Sequence, residues 1–144
     1  MTRILSTMIS LLLLGRPSWI VAQDDLTPVE PFQIFDNLYY VGLEAVSAYL
    51  VTTSDGLILI DALYPESAEH IPRALVQLGF DPQDVRYVIV THAHIDHAGG
   101  AAAIQALTGA RVGMAEADWD FYSRGGSRRA LDFPMLHTLG FFLL

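Results

Sequence analysis

The sequence predicts an α/β (α+β) fold in which a mixed sheet carries helices on one face. Three observations lead there. Short apolar or alternating runs, at 32–35, 38–41, 45–53 and 57–60, are separated by turn residues and read as antiparallel strands. From residue 57 onward, apolar strands alternate with helical periods, the pattern of strand–helix–strand units. The strands at 57–60 and 87–90 are continuous apolar runs, as in sheets covered on both faces.

Each element can be justified from its residues. Phe32-Gln33-Ile34-Phe35 alternates in part, Asp36-Asn37 signals a turn, and Leu38-Tyr39-Tyr40-Val41 returns as the second strand of a hairpin. Residues 45–53 form the third predicted strand, centred on Tyr49, Leu50 and Val51, and Ser54-Asp55-Gly56 is a tight turn. Leu57-Ile58-Leu59-Ile60 comes next and ends at Asp61. Ser67 is expected to cap a helix running to about Leu78, with Ile71, Leu75 and Leu78 on one face. Pro72 falls in its early turns, where proline costs least, and Gly79 stops it. Asp81-Pro82-Gln83-Asp84 is a turn into the strand at 87–90. A second helix at 101–107 ends at Thr108-Gly109, with a strand at 110–114 and a short helix at 116–122 after it. Residues 123–129 are a glycine- and arginine-rich loop, in which Arg124, Arg128 and Arg129 are expected to be solvated.

A chain of 144 residues suffices for one modest domain. Its net charge is −8, so the basic footprint of a nucleic-acid-binding protein is absent. It has no cysteine, which excludes disulfides and thiolate metal ligands. No glycine-rich phosphate loop or serine nucleophile elbow is visible. Residues 1–22 read as a signal peptide: Met1-Thr2-Arg3 is positive, 4–14 is nearly all apolar, and Ala22 precedes Gln23-Asp24-Asp25. The expected location is secreted or periplasmic. The apolar stretch is shorter than the roughly 20 residues a bilayer requires, so no stable membrane span is expected. Residues 23–31 read as a linker or arm.

One segment carries the chemistry. His92-Ala93-His94-Ile95-Asp96-His97 places three histidines and one aspartate in six positions, directly after the apolar run Tyr87-Val88-Ile89-Val90. Imidazole and carboxylate are zinc ligands, and a catalytic zinc takes about three of them plus an open position for water. Strand-like alternation lets His92 and His94 face one metal together. Asp96 and His97 come where the chain turns and can reach a second metal. Gly99-Gly100 lets the backbone bend tightly into the helix at 101–107. His70 reads as a surface or boundary residue of the first helix.

This His-x-His-x-Asp-His motif resembles that of the metallo-β-lactamase fold superfamily. The flanks Val46-Ser47-Ala48-Tyr49-Leu50-Val51, 55–61 and 107–112 look most like the cysteine-free di-zinc β-lactamase subclass. The resemblance covers 32–122 and implies the first half of an αββα sandwich. It implies two zinc ions per complete domain, His92 and His94 on the first, Asp96 and His97 on the second. A zinc-bound hydroxide oriented by Asp96 would be the nucleophile, and Asp61 would hold a histidine or the loop backbone. The implied function is a zinc-dependent hydrolase of a small molecule, with the β-lactam ring as its substrate. A thioester or lactone hydrolase of the same fold is one alternative, and an inactive truncated fragment is another. Residues 123–144 read as an irregular, truncated tail. There Leu136-His137-Thr138-Leu139-Gly140 resembles the family's Gly-His-Thr-Pro-Gly loop at three positions. Half of such a sandwich would leave one sheet face uncovered, so self-association through that face is expected.

Overall fold

The computed structural model describes residues 26–124. The predicted signal peptide, the start of the predicted arm, His137 and nearly all of the predicted tail lie outside the described residues. Six strands form one sheet whose spatial order is that of the chain: β1 (Phe32–Phe35), β2 (Leu38–Tyr40), β3 (Tyr49–Thr53), β4 (Gly56–Ile60), β5 (Val85–Ile89) and β6 (Arg111–Gly113). The first four pair antiparallel through short turns. β5 joins β4 in parallel, and β6 joins β5 in parallel. The sheet is therefore mixed, as predicted. The helices are α1 (His70–Gln77), α2 (Ile95–Ala98), α3 (Ala101–Thr108) and α4 (Glu116–Ser123). No helix among the described residues is long and apolar enough to cross a membrane.

The core lies on one face of the sheet. Leu50, Leu59 and Val88 pair across β3, β4 and β5 and are fully buried. Ile71 and Leu75 from α1 and Ile104 from α3 close over this core. The period-2 alternation of a strand sends the neighbouring residues the other way. Tyr40, Tyr49, Val51, Ile58, Ile60, Tyr87 and Ile89 are only half-buried. The expectation that 57–60 is covered on both faces thus fails among the described residues. Aromatic rings on the same face pack together, with Tyr40 edge-on to Tyr49 at 5.6 Å and stacked on Phe32 at 5.5 Å.

Two predicted boundaries also move. β3 starts at Tyr49, not at 45. Val41 N–H donates to the Ala48 carbonyl and Leu43 N–H to that of Val46, so 44–47 turns the chain before pairing begins. The apolar residues there are buried all the same: Leu43, Val46 and Ala48 belong to the core. Ser67 does not cap α1. It ends a separate 3-10 turn, Pro65–Ser67, where its hydroxyl donates to the Tyr64 carbonyl, and α1 begins at His70 with no side-chain cap. The other end is as predicted. Gly79 takes a left-handed φ of 86°, its N–H donates to the Val76 carbonyl, and Phe80 N–H donates to that of Leu75. This is a Schellman closure, which satisfies carbonyls that the helix leaves open.

Candidate metal centre

Two parallel strands end side by side, and the loops after them build the site. After β4, Asp61 and Leu63 adopt left-handed backbone with φ of 63° and 61°. Such values are uncommon outside glycine, more so for leucine than for aspartate. The double twist faces this segment toward the histidine loop. Ala62 N–H donates to the His97 carbonyl at 2.7 Å, and the Leu63 carbonyl accepts from Gly100 N–H at 2.9 Å. Gly99 and Gly100 themselves have ordinary helical φ of −63° and −83°. The bend from α2 into α3 falls at these glycines and needs no left-handed backbone. A Cβ on Gly100 would collide with the Ala62 carbonyl, and one on Gly99 with Pro65. The two glycines let two backbones touch.

The buried Asp61 carboxylate organises the loop after β5. Its Oδ1 accepts from Thr91 N–H at 2.7 Å, and the Thr91 hydroxyl lies 2.9 Å from both carboxylate oxygens. Its Oδ2 is 2.8 Å from His97 Nδ1. A carboxylate only accepts, so His97 carries its proton on Nδ1. Thr91 Oγ1 is also 3.1 Å from His92 Nδ1. The single hydroxyl proton goes to Asp61, so Oγ1 accepts from His92 Nδ1–H. Both imidazoles are thereby fixed in the tautomer that leaves Nε2 as a bare electron-pair donor. The carboxylate–histidine pairing that orients metal ligands has this form.

The four motif side chains are brought together. The ring centroids of His92 and His94 lie 4.7 Å apart, and those of His92 and His97 4.1 Å apart. His97 Nε2 is 3.4 Å from Asp96 Oδ2, so these two atoms share one small space. His94 ends the extended segment and begins α2, its carbonyl accepting from His97 and Ala98 N–H. As the side chains stand, no group of three or more His, Asp or Glu among the described residues is gathered to hold one ion. The donors suit zinc in kind, and His92 lies nearer His97 than His94 by ring spacing.

Two contributors carry no role in the sequence reading. Thr91 stands directly before His92, and that place was the signal available for it. Asp118, on α4, accepts from Ala93 N–H at 3.0 Å. Nothing in the sequence around it marks that contact. His70, at the start of α1, is a half-buried boundary residue, as expected.

The mixed sheet thus presents histidines and a carboxylate beyond the C-terminal ends of two parallel strands. The chain belongs to the Metallo-beta-lactamase superfamily, whose profile matches residues 41–140. Among solved structures it resembles the subclass B3 metallo-β-lactamase of Bradyrhizobium japonicum, with 36% identity and a TM-score of 0.70 over 82% of this chain and 51% of that one. It also resembles a metallo-β-lactamase of Cronobacter sakazakii, with 44% identity and a TM-score of 0.67 over 70% of this chain and 37% of that one. The N-acyl homoserine lactonase of Bacillus cereus is 35% identical over 81 residues, 40% of this chain and 32% of the lactonase. The chain thus spans about a third to a half of the length of these relatives. They are hydrolases, and members of the superfamily depend on zinc.

Proposed function

We propose that this chain carries the first half of a zinc-dependent β-lactam hydrolase. The observation that carries the reading is the Asp61–His97 pair at 2.8 Å within a cluster of three imidazoles, with the His94 and His97 ring centroids 4.7 and 4.1 Å from that of His92. In this reading His92 and His94 hold one zinc, and Asp96 and His97 hold the second. Bound zinc supplies a Lewis acid for a carbonyl and lowers the pKa of water toward about 7. Asp96 aligns the attacking water. Asp61 and Thr91 keep His97 and His92 in the required tautomer. Likeness to subclass B3 enzymes over more than two thirds of the chain favours a β-lactam amide as substrate. The shorter match to the lactonases favours lactone hydrolysis as the second reading. The leader at 1–22 supports export to the periplasm or beyond.

The test has two parts. Zinc binding is measured on the 144-residue chain. Turnover of a chromogenic cephalosporin and of an acyl homoserine lactone is measured on a chimera that adds the second half of a subclass B3 enzyme. Cephalosporin turnover abolished by Asp96→Ala is expected. A chimera that opens only the lactone would replace the first substrate with the second. A chain whose zinc binding is unchanged by His92→Ala and His94→Ala would overturn the metal reading.

A further inference from the structure

We propose that Asp118 is a positioning residue of the metal loop, holding the backbone between His92 and His94. This rests on the zinc reading above. His92 stands between two backbone amides, and each donates to a carboxylate from a different part of the fold. Thr91 N–H, before it, donates to Asp61 at the end of β4. Ala93 N–H, after it, donates to Asp118 in the first turn of α4. The loop is therefore clasped on both sides of its first histidine.

Asp118 is placed for this task and not for capping its own helix. Its Oδ1 points at Ala93, while α4 has no side-chain cap bond at its start. Asp118 stands in the first turn of the helix, where the backbone dipole favours negative charge. A hydrogen bond to an ionised acceptor is roughly twice as strong as a neutral one. The Ala93 methyl is fixed as well, being 1% exposed in the core. With amide and methyl both held, the backbone between His92 and His94 has one setting, and that setting fixes the relative placement of the two imidazoles. Without Asp118 the Ala93 amide loses this acceptor, while His94 keeps its carbonyl bonds at the start of α2.

Two variants separate this role from plain stability. Asp118→Asn keeps an oxygen acceptor, and Asp118→Ala removes it. Cobalt(II) absorption titrations of the 144-residue chain should give an affinity within about threefold of wild type for Asp118→Asn. Asp118→Ala should bind at least about tenfold more weakly. Hydrogen exchange at the Ala93 amide is read in parallel without metal. It should be slow in wild type and Asp118→Asn, and about tenfold faster in Asp118→Ala while the Leu59 amide is unchanged. Equal cobalt affinity in all three chains, or an unchanged Ala93 exchange rate, would overturn the proposal. If Asp118→Ala does not fold, an Ala93 amide that exchanges freely in wild type overturns it alone. Should no chain bind cobalt, the zinc reading falls, and the exchange pattern still decides whether Asp118 holds the loop.

Discussion

Asp61 takes hydrogen bonds from a backbone amide, a hydroxyl and an imidazole, so its removal strands three donors. Thr91 is exposed and His97 half-buried, so water takes up part of the loss and the cost stays toward the low end of about 1–3 kcal/mol per donor. Loss of such an oriented partner lowers metal affinity by about 10–100-fold. We expect Asp61→Ala to lose both stability and zinc affinity. Asp61→Asn should do nearly as badly, because its amide group sets a donor against either His97 Nδ1–H or Thr91 N–H. Zinc titration calorimetry on the two variants checks this, and wild-type affinity in Asp61→Asn would sink the tautomer argument. Gly100→Ala tests the close approach to Ala62. Overpacking of this kind costs about 1–3 kcal/mol, read as a lower urea midpoint. At this scale the motif residues were legible because their spacing is local. His92, His94, Asp96 and His97 lie within six positions of one another. Asp61 was legible only through the family resemblance. Asp118 was not legible, because its contact joins α4 to a residue 25 positions earlier and depends on how the two loops pack.

Among the elements, α1 was legible at its end and not at its start. Gly79 marks a left-handed stop that few other residues tolerate, whereas Ser67 competes for a local turn of its own. Gly79→Ala meets no neighbour, so its cost is conformational alone, about 1 kcal/mol, and thermal unfolding should show it. The third strand was overextended because Val46 and Ala48 are apolar for the core while the backbone there is turning. α1 also carries a pH dependence. Burial pushes the His70 imidazole below its ordinary value of 6.5, and the Gly42 and Val41 carbonyls offset part of that shift. The unfolded chain then binds the proton more readily than the folded one. Stability is full above about pH 6.5 and falls as acid is added through the window below it. Urea midpoints measured from about pH 7.5 down to about pH 5 should fall in wild type more than in His70→Gln. Equal slopes would remove His70 from the account.

At the scale of the whole molecule, the described residues form one finished sheet face and one open face. Its fold class was legible because strand runs precede strand–helix alternation, and the expected double cover was not found because the described helices all bury the same side. Phe32 is 49% exposed beside half-buried Tyr40, Tyr49, Ile58 and Ile60. Apolar patches of this kind drive association. We expect sedimentation equilibrium to show dimers or larger species, and Ile58→Lys to shift them toward monomer. A monodisperse wild-type monomer would count against this. The sequential strand order has a consequence of another kind, in time. Each strand docks beside the one made just before it, so pairing can keep to the order of synthesis. Asp61 precedes His92 in the chain and Asp118 follows it. The histidine loop therefore has one partner synthesised before it and another synthesised after it, so its full hold needs an element the growing chain does not yet have when the histidines are made.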